Sequence, residues 1–293
     1  TLNVYWAVSG AAAFGKDIPR FNRTALLAPA RILPFEAKNV LSCVLDVEKN
    51  LSAKALVPIF AAAFANRLAA TALTSLVAVR AGMFWQESPA CLPLPQKLPE
   101  TVSLRTGAAY LVLGGSGGIG LTFMKKLASL AAEQKRQITL LPVQRQIRHA
   151  DFWKGLLNDW VRVIPFSQEL GDPEHFISFL DSLENQYGPI AGVIHASGVT
   201  GGGLMQVQSG KMTNKVECTE NWRAKVAPLP GLERLLHKGT VDFIILTSSI
   251  GSLCGAVGQM DNTVANIMLD TWACRIQACT PAKIRSIRWD VWR

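Results

Sequence analysis

Residues 105–293 alternate between short apolar runs and amphipathic stretches, and no other feature restricts the chain as much. Strand-like runs fall at Ala108–Leu113, Gln137–Leu141, Val161–Phe166, Ala191–His195, Val241–Leu246 and Lys283–Trp289. Helix-like stretches fall at Gly120–Glu133, Pro173–Tyr187, Asn221–His237 (broken near Pro228 and Pro230) and Asn262–Ala278. Strands separated by helices are satisfied by parallel strands in one sheet with helices on its faces. The pattern therefore predicts an α/β fold, a doubly wound parallel sheet, over 105–293.

Residues 1–83 are less regular. Val40–Val47 reads as a strand and 53–81 as helix. The segment PACLPLPQKLPE, 89–100, carries four prolines in twelve residues and reads as a linker. It places a first segment at 1–104 and a second at 105–293. The apolar stretch 55–79 is long enough to raise the question of a membrane span, but Asn66 and Arg67 interrupt it. An arginine at the centre of a membrane helix costs about 2.5–3.5 kcal/mol, so a buried helix is the expectation. No basic leader runs into an apolar core at the N-terminus, so no signal peptide is expected. The absence of an initial Met and the stop at Arg293 directly after a strand-like run read as a piece of a longer protein.

With 49% apolar and 17% charged residues the chain reads as globular. Its net charge of +9 favours anionic ligands, but the Lys and Arg are scattered, so nucleic acid is not expected. Six cysteines (Cys43, Cys91, Cys218, Cys254, Cys274, Cys279) form no CxxC pair, and four histidines (His149, His175, His195, His237) lie far apart. Reduced, buried or inert thiols, no metal and a cytoplasmic location are the expectations.

The first strand of the second segment runs into LGGSGGIG, 113–120, and then a helix. Gly115, Gly117 and Gly120 fit GxGxxG, while Gly114, Gly118 and Gly120 fit GxxxGxG. Either arrangement gives a tight turn and lets backbone approach a pyrophosphate at a helix N-terminus. A turn that binds nothing is the plain alternative. The second strand ends LLPVQRQIR, 140–148, without an acid for a ribose 2′-hydroxyl but with Arg145 and Arg148 close by. If a dinucleotide binds, NADP is favoured over NAD. Both arginines facing solvent is the alternative.

The stretches AAYLVLGGSGGIGL (108–121), GPIAGVIHASGV (188–199), NWRAKV (221–226), FIILTSSIGSLCGAVGQMDNTVANIMLDTWA (243–273) and SIRWDVW (286–292) resemble the ketoreductase domain of modular polyketide synthases, within the short-chain dehydrogenase/reductases. LLAPARILPFEAKNVLSCVLDVE, 26–48, resembles the truncated, cofactor-free Rossmann-like subdomain that precedes the catalytic one. The resemblance implies NADPH as cofactor, a β-ketoacyl group on an acyl carrier protein as substrate, and ketosynthase, dehydratase or methyltransferase domains as neighbours. It implies a cofactor loop of Gly114, Gly115, Ser116, Gly117, Gly118, Ile119 and Gly120, with Arg145, Glu169, Ala196, Ser197 and Gly198 around it. Its catalytic set is Tyr, Ser, Lys and Asn. Ser249, Lys225 and Asn266 match three of these; the Tyr position, thirteen residues after Ser249, holds Asn262.

Other departures accompany that one. Leu113 stands where the glycine motif usually opens with Thr, and Glu169 where an Asp is usual. In the simplest register Val143 takes the place of an expected Arg, with Arg145 two positions late. TGGGLMQ, 200–206, lacks the LDD signature of one stereochemical class, and Cys254 stands where the other often has Trp. An amide is not an acid at neutral pH. Asp261 is ionised at its ordinary pKa, and Tyr5, Tyr110 and Tyr187 fall elsewhere in the predicted fold. The expectation is a non-reducing, structural ketoreductase-like domain. The competing expectations are an active NADPH-dependent reductase with a displaced acid and an epimerising or cofactor-binding module. Structural alternatives stand for each retained residue: Lys225 as a solvated lysine, Ser249 as a turn residue, Asn266 as a cap or bridge on buried backbone.

Overall fold

The computed structural model describes residues 2–65, 75–88, 90, 91, 93, 102–147, 150–199, 202–205 and 220–290. Asn66, Arg67, Arg148, His149 and Cys218 lie outside the described residues, as do most of the proline-rich 89–100 and positions 200, 201 and 206 of the loop 200–206.

The first part forms a four-stranded sheet in the order β1 (Leu2–Val8), β2 (Val40–Asp46), β3 (Leu76–Arg80), β4 (Met83–Gln86). The first three strands run parallel and β4 returns antiparallel. Helices α1 (Phe21–Thr24) and α2 (Leu27–Glu36) join β1 to β2, and α3 (Ala53–Ala65) follows β2. The helix expected over 53–81 therefore stops short of its end. Ala81 and Gly82 both have positive φ, +50° and +75°, and make a two-residue hairpin between β3 and β4. The turn overrides what looked like one continuous apolar helix.

The loop after β1 is closed from within. The buried Asp46 carboxylate accepts the Gly10 and Ala11 N–H groups at 2.6 and 2.8 Å. Arg80 binds its other oxygen at 2.6 Å and reaches Asp17 at 2.9 Å. An anion belonging to the chain thus fills the turn where a nucleotide-binding loop would hold phosphate.

The second part forms a seven-stranded, all-parallel sheet. Its order is β11 (Lys283–Trp289), β10 (Phe243–Ser249), β9 (Ile190–His195), β5 (Ala109–Leu113), β6 (Ile138–Gln144), β7 (Val161–Val163), with β8 (Phe166–Ser167) also on β6. The expected single strand 161–166 is split, because Pro165 has no N–H to give the ladder. All five residues of β5 are buried, as a central parallel strand covered on both faces requires. Helices α4 (Gly118–Gln134), α5 (Pro173–Tyr187), α6 (Glu220–Lys225), α7 (Leu229–His237), α8 (Gly251–Cys254) and α9 (Met260–Gln277) complete this part. Asp172 starts α5 by accepting the N–H groups of Glu174 and His175, with Pro173 at the first helical position.

Helix α9 joins the two sheets. Its Ile267, Val264 and Met260 pack with Leu27, Ala28 and Val44 of the first part, while Met268, Leu269 and Trp272 enter the core of the second. It is buried from both sides, so its apolar residues follow no single stripe. Among the described cysteines only Cys43 is buried, its thiol pushed up to about 12 by burial; Cys91, Cys274 and Cys279 are exposed and Cys254 is half-buried. All the described cysteines are free, and of the expected states burial applies among them to Cys43. Among the described residues no helix is long and apolar enough to cross a membrane.

Candidate active site

Strand order reverses around β5: β6 lies on one side and β9 on the other. In open parallel sheets the crevice at the carboxyl ends of such strands is the usual ligand site. Here it is a cleft of about 690 Å³, lined by Gly114, Ser116, Gly117, Arg145, Glu169, Ala196, Ser197 and Gly198, and also by Gln144 and Glu220. Gly115, Gly118, Ile119 and Gly120 shape the turn without lining the cleft.

Two glycines are dictated by packing. Gly114 has φ +81°, and a Cβ there would lie 2.6 Å from the Ala196 carbonyl oxygen. A Cβ on Gly120 would collide with the Gly114 carbonyl. Gly117 caps α4 with no side-chain acceptor for the first-turn N–H groups. A backbone turn of this kind fits a diphosphate.

Arg145 is half-exposed and its Nη1 lies 2.8 Å from Glu220 Oε2. Glu220 directly precedes NWRAKV and carries no motif signal of its own. Glu169 lines the cleft, and one of its oxygens accepts the Gly171 N–H at 3.2 Å. Gln144, the last residue of β6, is only 8% exposed, and neither polar atom of its side chain has a partner among the described residues.

Lys225 ends α6 and is 7% exposed, so it is not a solvated lysine. Its Nζ donates to the Thr247 carbonyl at 2.8 Å, and its chain runs beside Gly198, where a Cβ would lie 3.2 Å from Lys225 Cε. Burial pushes its pKa down to about 8, opposed by the charge of Asp270. The Lys225 carbonyl meets His195 Nε2 at 2.8 Å. His195 is itself fully buried, which drives its pKa down to about 4 despite that bond.

Ser249 ends β10, and its Oγ accepts the Gly251 N–H at 3.2 Å, the turn role anticipated as the alternative. One helical turn separates Asn262 from Asn266 on α9. Asn266 Nδ2 donates to the Asn262 backbone oxygen at 2.9 Å and to Asn262 Oδ1 at 3.0 Å. Asn266 Oδ1 is buried without a partner among the described residues. Asp261 points to Asn221, whose Nδ2 donates to it at 3.1 Å. The structure brings Asn262 and Asn266 together on α9, while Ser249 ends β10 and Lys225 ends α6 beside Gly198; none of the four lines the cleft.

The tyrosines are engaged elsewhere. The Tyr5 hydroxyl donates to the Ala63 carbonyl in the first part. The Tyr110 hydroxyl accepts the Arg105 N–H, before β5 begins. Tyr187 packs on Phe166 at the far end of α5.

The rim beside α9 is fixed from the first part. One Glu36 oxygen accepts the Met205 N–H at 2.7 Å and the other the Gly258 N–H at 2.8 Å. Gly203 N–H in turn donates to the Gly258 carbonyl at 2.8 Å. Neither Glu36 nor Gln144 carries a motif; their roles arise from contacts distant in sequence.

A family model described as the KR domain matches residues 108–293. The polyketide synthase PksN of Bacillus subtilis is 29% identical over 198 residues, 64% of this chain and 3% of that protein. The squalestatin hexaketide synthase of a Phoma species is 27% identical over 190 residues, 64% of this chain and 7% of that protein. The chain thus spans a small fraction of the curated relatives it matches. Among solved structures, the ketoreductase from the first module of phoslactomycin biosynthesis in Streptomyces sp. HK803 superposes with a TM-score of 0.76 at 21% identity, over 99% of this chain and 65% of that one. That likeness is one of fold.

Proposed function

The chain belongs to the KR domain family, and from that premise we propose that it is a ketoreductase-type domain of a polyketide synthase that keeps its dinucleotide cleft but does not reduce. One observation carries the reading. The position that should present a phenol holds Asn262, and its amide oxygen accepts from Asn266 inside the helix. Lys225, with its ammonium on the Thr247 carbonyl, then has no phenol to acidify. Ser249 can donate a hydrogen bond to a carbonyl but is a poor proton source. When bound, the dinucleotide would supply hydride. Gly114, Ser116, Gly117, Ala196, Ser197 and Gly198 would hold it, and NADPH is the form the family implies. The domain's role is structural: it supports an acyl carrier protein and neighbouring ketosynthase, dehydratase or methyltransferase domains.

The deciding measurement is reduction of a β-ketoacyl thioester by the protein and by Asn262→Tyr. The protein itself is expected to be silent and the variant to gain turnover, since a positioned acid is worth about 10²–10⁴-fold. Turnover by the unaltered protein within about a hundredfold of the variant would refute the reading. One observation favours a second reading, in which Lys225, with its pKa near 8, replaces the lost acid. In that case Lys225→Met abolishes a turnover that the unaltered protein already shows.

A further inference from the structure

We propose that Arg31, in the first part of the chain, is a positioning residue for Ser249: it fixes the turn α8, and with it the aim of the Ser249 hydroxyl at a bound carbonyl. This rests on the reading of Ser249 as the group that donates to a substrate carbonyl.

Arg31 lies on α2, and its side chain is 6% exposed. Its guanidinium donates to the Ser252 carbonyl in α8 and, through Nε, to Ser75 Oγ at 3.1 Å. Its ion-pair partner, Glu87 at 3.8 Å, is half-exposed. A charge buried on so loose a pair is costly, and an apolar side chain of similar volume would pack there at less cost. What the guanidinium supplies is geometry, because a planar fork holds its partners in fixed directions. Here one prong is seated in the first part and another in the turn after β10.

The exit of α8 meets the same residue. Gly255 has φ +66°, and a Cβ there would lie 2.7 Å from the Arg31 carbonyl oxygen. On its other side, Ser252 Oγ donates to Asp270 at 2.7 Å, and Asp270 is held in turn by Ser286 at 2.6 Å and Arg288 at 2.8 Å. At the entrance of α8, Gly251 N–H donates to Ser249 Oγ at 3.2 Å. The carbonyl that Arg31 binds is one residue beyond that N–H. A four-residue turn has too few bonds of its own to hold its place, so a loss at Arg31 is passed to Ser249.

Two measurements on the full chain test this. The first needs no catalysis. Cys254 Sγ donates to the Ile250 carbonyl at 3.3 Å, at the start of α8, whereas Cys43 is buried in the first part. Arg31→Met should speed alkylation of Cys254 by iodoacetamide about tenfold, the worth of one hydrogen bond to a charged group, and leave Cys43 protected. Arg31→Lys, which keeps a donor for the Ser252 carbonyl, should restore most of the protection. An unchanged Cys254, or Cys43 opening alongside it, overturns the proposal. The second measurement uses the turnover expected of Asn262→Tyr. There Arg31→Met should lower kcat about ten- to hundredfold, as a misplaced group does, with NADPH affinity unchanged. In the Ser249→Ala background it should cost nothing further. An equal loss in both backgrounds, or a matching fall in NADPH affinity, overturns the proposal and leaves the proposed function standing. If Asn262→Tyr does not turn over, the proposed function fails and the alkylation alone decides on Arg31.

Discussion

Lys225→Met isolates one buried charge and allows its energetic signature to be worked out. The ammonium is almost fully enclosed, with one hydrogen bond to the Thr247 carbonyl, and burial lowers its pKa from 10.5 to about 8. That depression corresponds to about 3 kcal/mol of linkage. The sign follows from the protons each state holds. Below pH 8 both the folded and unfolded chains keep the proton, and the folded state bears the full cost of burying it. Between pH 8 and 10.5 the folded state releases the proton while the unfolded state retains it, so stability rises with pH. Other titrating groups are common to protein and variant and drop out of the difference. Urea unfolding followed by tryptophan fluorescence, from pH 7 to 10.5, should show the stability of the protein relative to Lys225→Met climbing by about 3 kcal/mol. Near pH 7 the variant should be close to neutral. It sheds the charge but leaves the Thr247 carbonyl unpaired, a loss of about 1–3 kcal/mol. A difference that stays flat across this range would refute the burial of a charged Lys225.

His195 behaves as the acidic counterpart. Its pKa near 4 lies below the ordinary 6.5, so stability is present above pH 6.5 and lost as pH falls toward 4. Relative to His195→Gln, the protein should lose about 3 kcal/mol over that window in urea titrations, and parallel curves would contradict it. Asp46→Asn removes the charge that binds two loop N–H groups and Arg80. It should destabilise by about 3 kcal/mol, since Arg80 keeps Asp17. Thermal unfolding measures this, and a change below about 1 kcal/mol would show that Asp46 is not the anchor.

The second sheet was legible in the sequence because its central strands β5 and β9 are almost wholly apolar and its punctuation is chemical: the glycine loop and the prolines that break 221–237. The expected strand 283–289 coincides with β11, while β10 continues three residues further, to Ser249. The first sheet was harder to read. An apolar string such as 55–80 fits a helix or a strand, and only Ala81–Gly82 at positive φ resolves it. At the site, the family resemblance implied Lys225, Ser249, Asn262 and Asn266. It could not reveal that Arg145 is paired with Glu220, 75 residues away, or that Gln144 would be buried without partners. Those properties depend on which strands become neighbours and are not written in any local pattern.

The carboxylate of Asp46 has a consequence for the whole molecule. A phosphate held in such a turn comes and goes with its concentration, whereas a side chain is present at fixed stoichiometry and cannot dissociate. The first sheet is therefore always in its liganded condition. Through α9, which packs against both sheets, and through Glu36, which fixes the rim, it gives the second part a support that does not vary with nucleotide supply.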